Sequence, residues 1–216
     1  MKKVLYAVLL MSGMANATPN LEEMQKKVVE LHITHIKEET PVKGNKKGRY
    51  MRLPGQGVCS GFFIDSLGDI VTAGHCTEKA ESIEVQIYDG KLYTARIVGI
   101  STIHDLALLH IDAVNTDFFK AANTVIQGES VWILGSPLAV TGTLSTGIIA
   151  KLGGDLTILD CSVLPGNSGS AVVNYKGEVV GVATAVATVG FGVTHMSIME
   201  SLDALRFFVV EQFSKR

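Results

Sequence analysis

Short apolar runs separated by turn-forming residues occupy most of the chain. The first half has six such runs, at 28–36, 58–64, 69–72, 82–88, 91–100 and 106–111. The second half has six more, at 130–134, 143–149, 155–159, 170–174, 178–186 and 192–198. Asp89-Gly90 lies between two of them and is a strong hairpin signal. Short strands at this spacing favour antiparallel barrels or a sandwich, so the two clusters, 28–111 and 130–198, predict two such units.

Other segments interrupt or flank the strand pattern. Residues 21–27 form a short charged stretch that is compatible with a helix, and residues 37–57 form a loop rich in Gly, Lys and Pro. Residues 112–127 connect the two clusters. Apolar residues recur at helical spacing over 199–213, which predicts a closing helix.

The N-terminus has the pattern of an export signal. Lys2 and Lys3 precede an apolar run over residues 4–14, and Ala15-Asn16-Ala17 supplies small residues for a signal peptidase. The pattern predicts cleavage after Ala17, a mature domain over 18–216 and a periplasmic or secreted protein with no membrane attachment. An uncleaved anchor or a buried first helix are the alternatives.

Composition narrows the class of protein further. Apolar residues make up 47% and charged residues 19%, which is typical of a folded protein and not of a disordered one. The net charge of -2 becomes -4 once the two signal lysines are removed, which argues against a nucleic-acid partner. The basic cluster over 43–52 is best interpreted as a solvated loop.

Three motifs carry candidate chemistry, in the order His, Asp, Ser. They are Thr72-Ala73-Gly74-His75-Cys76, His104-Asp105-Leu106-Ala107-Leu108-Leu109 and Pro165-Gly166-Asn167-Ser168-Gly169-Ser170. A serine hydroxyl attacks a peptide bond only when a neighbouring base removes its proton. Imidazole is such a base, and a carboxylate on its other nitrogen fixes the tautomer. Glycines beside the serine allow backbone N–H groups to face the negative oxygen that develops.

These motifs resemble those of the trypsin/chymotrypsin-like serine proteases, and most closely the HtrA-type (Deg) branch. The resemblance covers residues 21–200 and includes the short spacing between His75 and Asp105. It implies an all-β fold of two packed antiparallel six-stranded β-barrels with a C-terminal helix. It implies a serine endopeptidase that acts on proteins or peptides without a cofactor or metal. Because the chain stops after the closing helix, we expect no PDZ domain.

Transferred residue by residue, the resemblance assigns roles. Ser168 is the nucleophile, His75 the general base and Asp105 the residue that orients it, while the N–H groups of Gly166 and Ser168 form the oxyanion hole. Segment 21–30 resembles the part that forms a homotrimer in HtrA-type enzymes.

The three cysteines are Cys59, Cys76 and Cys161. Cys59 and Cys76 resemble the family's disulfide beside the catalytic histidine, and export favours its formation. The alternative is that both remain buried thiols. Cys161 is better interpreted as a small buried apolar residue than as a catalytic one.

Specificity is predicted by analogy with the family's S1 pocket, which would be lined by Ser162, Val163, Ala183, Thr184 and Ala185. No acid lies there, so we expect cleavage after small or medium aliphatic residues. His195 could contribute to this pocket, although a structural or surface role is the stronger interpretation.

The remaining histidines do not indicate a metal site, and two alternative functions stay open. His32 and His35 lie in a predicted strand, where they face opposite sides, so we expect no metal site. His104 could order the loop before Asp105, although packing also explains it. A non-catalytic binding protein on the same fold and an esterase are the alternative functions. Since all three triad residues are present, the protease is favoured.

Overall fold

The computed structural model describes residues 19–36, 40–41, 50–51, 54–113, 116–153, 157–189 and 192–216. The signal-peptide prediction for residues 1–17 therefore lies outside the described residues. Within the described ranges, nine strands precede residue 111: β1 (Val28–Ile36), β2 (Thr40–Pro41), β3 (Tyr50–Met51), β4 (Pro54–Phe63), β5 (Asp69–Ala73), β6 (Ala80–Gln86), β7 (Leu92–Thr94), β8 (Arg96–Ser101) and β9 (Leu106–His110). β2 and β3 pair only with each other within the described ranges.

The first unit is an antiparallel sheet of seven strands in the order β7-β6-β1-β4-β5-β9-β8. Six strands were predicted, and the difference arises at Ala95. The predicted single strand over 91–100 divides there, because β7 pairs with β6 whereas β8 pairs with β9. One continuous apolar run thus forms two strands that pair with different neighbours. Hydrophobic periodicity does not indicate with which strand a segment pairs.

Strand β4 begins at Pro54, earlier than the predicted start at 58. The antiparallel pairing of β1 continues past the glycines, with Ile33 opposite Gly57 and His35 opposite Gly55. A Cβ on Gly57 would lie 3.2 Å from Nε2 of His35, so the glycine accommodates the imidazole. The glycine-rich composition therefore concealed the start of a strand.

The second unit is a closed antiparallel barrel. Its six strands are β10 (Ser130–Gly135), β11 (Thr143–Lys151), β12 (Thr157–Asp160), β13 (Ala171–Val173), β14 (Val179–Val189) and β15 (Gly192–Ser201). They follow the order β10-β11-β12-β15-β14-β13 around the barrel. The two strand-rich units confirm the predicted all-β fold with a C-terminal helix.

A helix lies at each end of the described chain. Helix α1 (Leu21–Gln25) begins after Asn20, whose side chain accepts hydrogen bonds from two backbone N–H groups of the first turn. Helix α2 (Leu202–Ser214) begins after Ser201, whose hydroxyl accepts the N–H of Ala204. The predicted helix started at 199, but Met199 still pairs with Thr157 and Ala183 in the barrel.

Three apolar clusters form the core. One fills the first unit and includes Leu31, Ile70 and Leu109, and a second fills the barrel and includes Ile133 and Leu159. The third joins the two units to α2 and includes Phe62, Leu134, Leu205 and Phe208. None of the helices within the described ranges is long and apolar enough to cross a bilayer.

Candidate active site

His75 lies at the end of β5, in a 3₁₀ turn over Gly74–Cys76. The N–H of Gly74 donates to the carbonyl oxygen of Asp105 at 2.8 Å. A Cβ on Gly74 would lie 3.1 Å from both the backbone and the carboxylate of Asp105, so glycine permits this close approach. The turn thereby brings His75 beside the start of β9, the strand that pairs with β5.

Asp105 binds His75 through both carboxylate oxygens. Oδ1 accepts the backbone N–H of His75 at 2.7 Å, and Oδ2 lies 2.8 Å from Nδ1 of the ring. Because a carboxylate only accepts hydrogen bonds, this contact places the proton of a neutral imidazole on Nδ1 and leaves Nε2 free as a base. The hydrogen bond with Asp105 raises the pKa of His75, and this outweighs the lowering by burial.

The backbone of Asp105 is unusual because its φ is 45°. A left-handed conformation is uncommon in residues other than glycine, although aspartate tolerates it better than most. Such conformations cost free energy and cluster at functional sites. Here the conformation accompanies two hydrogen bonds to one histidine.

Ser168 lies in the second barrel, in a turn between β12 and β13. The N–H of Asn167 donates to the carbonyl of Leu164 at 2.9 Å, and Gly166 in this turn has a φ of 102°. This arrangement corresponds to a type II turn, in which the third residue needs a positive φ. A Cβ on Gly166 would lie 2.3 Å from the carbonyl oxygen of Ser136, so a side chain has no room there.

Two N–H groups of this turn are available to a ligand. Within the described part of the chain, the backbone N–H groups of Gly166 and Ser168 donate to no protein acceptor, whereas those of Asn167, Gly169 and Ser170 do. The Ser168 hydroxyl donates to the carbonyl of Thr184 at 3.4 Å. Available donors beside a serine are what an oxyanion requires.

A disulfide joins Cys59 of β4 to Cys76, the residue after His75. The pairing suggested by the family resemblance is therefore confirmed, and the alternative of two free thiols is wrong. Cys59, Cys76 and His75 also form a group with metal-ligand atoms within 4.8 Å of one another. Both sulfurs are in the disulfide, so they are not thiolate ligands.

The predicted pocket residues fall into different environments. Val163 and Ala183 are buried in the apolar cluster of the second barrel. Ser162 is exposed, and Thr184 is buried with its hydroxyl 3.4 Å from the carbonyl of Ile198. The side chains of Ala185 and His195 lie outside the described residues. The contribution of these five residues to an S1 pocket remains a prediction.

Cys161 is buried in the core of the second barrel, with its sulfur 3.4 Å from the hydroxyl of Ser197. Burial raises the pKa of its thiol, which disfavours the reactive thiolate. The interpretation of Cys161 as a small buried residue is therefore confirmed.

A pair of ionisable residues adjoins Asp105, and sequence analysis identified only one of them. Nδ1 of His104 lies 3.8 Å from a carboxylate oxygen of Glu200 in β15, and its ring meets Phe207 of α2 edge-on. Burial is the main cause that raises the pKa of Glu200. These contacts connect the loop before Asp105 to the second barrel and to α2.

Sequence analysis also overlooked Ser60, which is fully buried and contacts the Ser168 turn. The small residue beside a cysteine was the available signal, but its contacts depend on the packing of the two units.

Comparison with known proteins places these features in a family. The family described as the trypsin-like peptidase domain matches residues 59–182. A putative serine protease HhoB of Synechocystis is 32% identical over 61% of this chain and 35% of its own length. A probable periplasmic serine endoprotease DegP-like of Chlamydia muridarum is 30% identical over 68% of this chain and 33% of its own length. The chain thus spans about a third of each relative, and the matches confirm the predicted resemblance.

Proposed function

The chain belongs to the family of trypsin-like peptidase domains, and from that premise we propose that it is a serine endopeptidase. The pairing of His75 with Asp105 supports this most directly, since it leaves Nε2 unprotonated. The available N–H groups of Gly166 and Ser168 support it further. Together these residues supply a base, a nucleophile and an anion site.

The proposed reaction begins when the Ser168 oxygen attacks the carbonyl carbon of the substrate and His75 accepts the hydroxyl proton at Nε2. Asp105 stabilises the resulting imidazolium through Nδ1. The N–H groups of Gly166 and Ser168 bind the negative oxygen of the tetrahedral intermediate. The C–N bond then breaks, and the leaving amine takes the proton from His75. Water, activated by His75, hydrolyses the acyl-enzyme and restores the Ser168 hydroxyl.

The proposed substrates are proteins or peptides cleaved after small or medium aliphatic residues. The five predicted pocket residues are uncharged, so nothing among them would pair with a charged substrate side chain. The relatives from Chlamydia are named periplasmic, which supports the same compartment for this chain. Cleavage after Ala17 stays a prediction. A homotrimer through segment 21–30 also stays a prediction, although Met24 and Val28 of this segment are buried within the chain itself.

The proposal is tested by cleavage of unfolded casein with the purified protein and its Ser168→Ala variant. We expect the variant to lose about 10⁴-fold or more of the activity, because it has no nucleophile. Ser214→Ala is the matched control, since that serine lies at the exposed end of α2. Equal cleavage by the parent and Ser168→Ala, or none by either, would contradict the proposal.

Mass analysis of the casein fragments also tests the specificity. Cleavage mainly after Ala, Val, Ile or Leu is the expected result, and strong selection for a basic or acidic residue would overturn that part of the proposal. Turnover of simple esters by a protein that leaves casein intact would favour the esterase alternative.

A further inference from the structure

Ser60 is a buried residue of β4 at the junction of the two units. It lies one position beyond the pairing of β4 with β5, which starts with Gly61 opposite Thr72. The edge of β4 at Ser60 is therefore open to another partner, and the turn containing Ser168 fills that place.

All the polar groups of Ser60 have partners. Its N–H donates to the carbonyl of Ser168 at 2.8 Å, and its carbonyl accepts the hydroxyl of Thr72 at 2.7 Å. Its hydroxyl donates to the carbonyl of Gly166 at 2.7 Å and accepts the N–H of Ser136 at 2.9 Å. A serine hydroxyl has one proton to donate, so this assignment uses it on Gly166.

These bonds hold the serine turn at two carbonyls. One belongs to Gly166 and the other to Ser168, the two residues whose N–H groups remain available. Fixing the Gly166 carbonyl fixes the ψ angle of that residue and hence the peptide plane that follows it. This peptide plane lies between the one that carries the N–H of Gly166 and the one that carries the N–H of Ser168, so the hydrogen bond to Ser60 restricts how the two can rotate relative to each other.

Ser60 also lies on one path of bonds between the two halves of the site, beside the direct contact of the Cys76 sulfur with the carbonyl oxygen of Ser168 at 3.9 Å. Its neighbour Cys59 is bonded to Cys76, which follows His75. The chain of bonds from His75 through the disulfide to Ser60 and then to Ser168 crosses from the first unit to the second. Ser60 thereby fixes the position of the turn relative to the histidine.

We propose that Ser60 is a positioning residue that holds the Gly166–Ser168 turn in the conformation able to bind an oxyanion. This inference rests on the proposed function for its catalytic consequence. Ser60 acts through Gly166 and Ser168 and touches neither substrate nor reacting atoms. Its loss weakens stabilisation of the transition state and leaves binding of the substrate unchanged.

The variant that tests this is Ser60→Ala, which removes the hydroxyl and keeps the backbone bond to Ser168. We expect kcat to fall about 10- to 100-fold with KM within about twofold, less than the full loss of an oxyanion donor. Affinity for a peptide aldehyde, which forms a tetrahedral adduct with the serine, should fall in parallel with kcat/KM.

The matched control is Ser197→Ala. Ser197 is equally buried, and its hydroxyl donates to the carbonyl of Cys161 in the second barrel at 3.2 Å. Both variants lose one buried hydroxyl that donates to a backbone carbonyl, so a loss of stability alone would affect them alike. Only Ser60→Ala should change kcat.

A second measurement does not depend on activity. Hydrogen–deuterium exchange followed by mass spectrometry should show about tenfold faster exchange for the peptide over 164–169 in Ser60→Ala. That peptide should be unchanged in Ser197→Ala. If the parent cleaves no substrate but this difference appears, the proposed function fails and the positioning role stands.

Two results obtained with Ser60→Ala alone would each overturn the positioning role. One is a kcat for Ser60→Ala within about twofold of the parent. The other is equal exchange over 164–169 in Ser60→Ala and the parent. A fall in kcat that also appears in Ser197→Ala would point to general destabilisation and would overturn it as well.

Discussion

The two halves of the candidate site differ in how their polar groups are satisfied. In the first unit, Asp105 and His75 complete each other through two hydrogen bonds. In the second, Gly166 and Ser168 keep backbone N–H groups without a protein acceptor in the described chain. The Asp105–His75 pair is thus formed within the protein itself, whereas the second half keeps donors that are available to a ligand.

Left-handed backbone conformations occur in both halves. Asp105 has a φ of 45° and Gly166 a φ of 102°. Glycine adopts this conformation readily, whereas aspartate does so at a cost that its surroundings must offset. Under the proposed function, the candidate base His75 is fixed by side-chain hydrogen bonds, whereas the candidate anion site is fixed by the backbone conformation of its turn. Changes in the two halves should therefore produce different kinetic effects.

The largest effect is expected from Asp105→Asn, which breaks the first half. We expect kcat to fall about 10⁴-fold, because an amide favours the wrong tautomer of the imidazole. Without the carboxylate, the pKa of His75 should also fall. Since His75 must be neutral to accept a proton, kcat/KM of the parent should drop as the pH falls through a pKa above about 6.5.

The pH profile provides the decisive measurement. In Asp105→Asn, the acidic limb of kcat/KM should move to lower pH while the plateau is much reduced. Asp89→Asn is the matched control, since Asp89 is an exposed aspartate whose ion pair with Lys91 lies outside the site. An unshifted acidic limb would show that Asp105 does not raise the pKa of His75.

A smaller effect is expected from Gly166→Ala, which breaks the second half. The new Cβ would meet the carbonyl oxygen of Ser136 at 2.3 Å, so the turn must move. We expect kcat to fall about 10²–10³-fold, as when one oxyanion donor is lost, while the pKa that governs the acidic limb stays in place.

Gly128→Ala separates this effect from backbone strain. Gly128 has a φ of 85°, and a Cβ there would have no heavy atom within 4 Å. Both alanines are strained, but only the one at position 166 displaces a neighbour. Steady-state kinetics should therefore show normal kcat for Gly128→Ala, and a similar fall in both variants would refute the explanation through Ser136.

The difference between local motifs and contacts that form across the two units explains what the sequence could predict. His75, Asp105 and Ser168 lie in contiguous motifs whose residue types follow from the chemistry, so they were predicted. The contacts of Ser60 and Glu200 form between the first and the second unit. No local sequence pattern predicts which residues of the two units come into contact. The strand break at Ala95 could not be predicted for a related reason. β7 and β8 belong to one apolar run and differ in the strand with which each pairs.

The predicted pocket residues were assigned from their positions in the family motifs, and such positions do not indicate which side chains are exposed. Ser162 and Val163 are adjacent, yet the first is exposed and the second is packed in the barrel core. Exposure thus changes between adjacent residues after the end of β12, so a short window of sequence contains both kinds. Only the folded structure distinguishes the exposed residue from the buried one.

The smallest effect on catalysis is expected from removing the Cys59–Cys76 disulfide, which joins β4 to the His75 turn within the first unit. The bond closes a loop with a sequence separation of 17, so the double variant Cys59→Ser, Cys76→Ser should lose about 3 kcal/mol of unfolding free energy. For a domain of this size that corresponds to a fall in Tm of about 6–12 °C. Thermal unfolding followed by circular dichroism measures it.

A reducing agent supplies the control for this last experiment. Dithiothreitol should lower the Tm of the parent toward that of the double variant and leave the Tm of the variant unchanged. At temperatures below both transitions, kcat should fall less than in Gly166→Ala, because the turn keeps its hydrogen bonds to Ser60. A larger fall would mean that the disulfide, by fixing the His75 turn against β4, contributes more to the geometry of the site than the hydrogen bonds of Ser60 do.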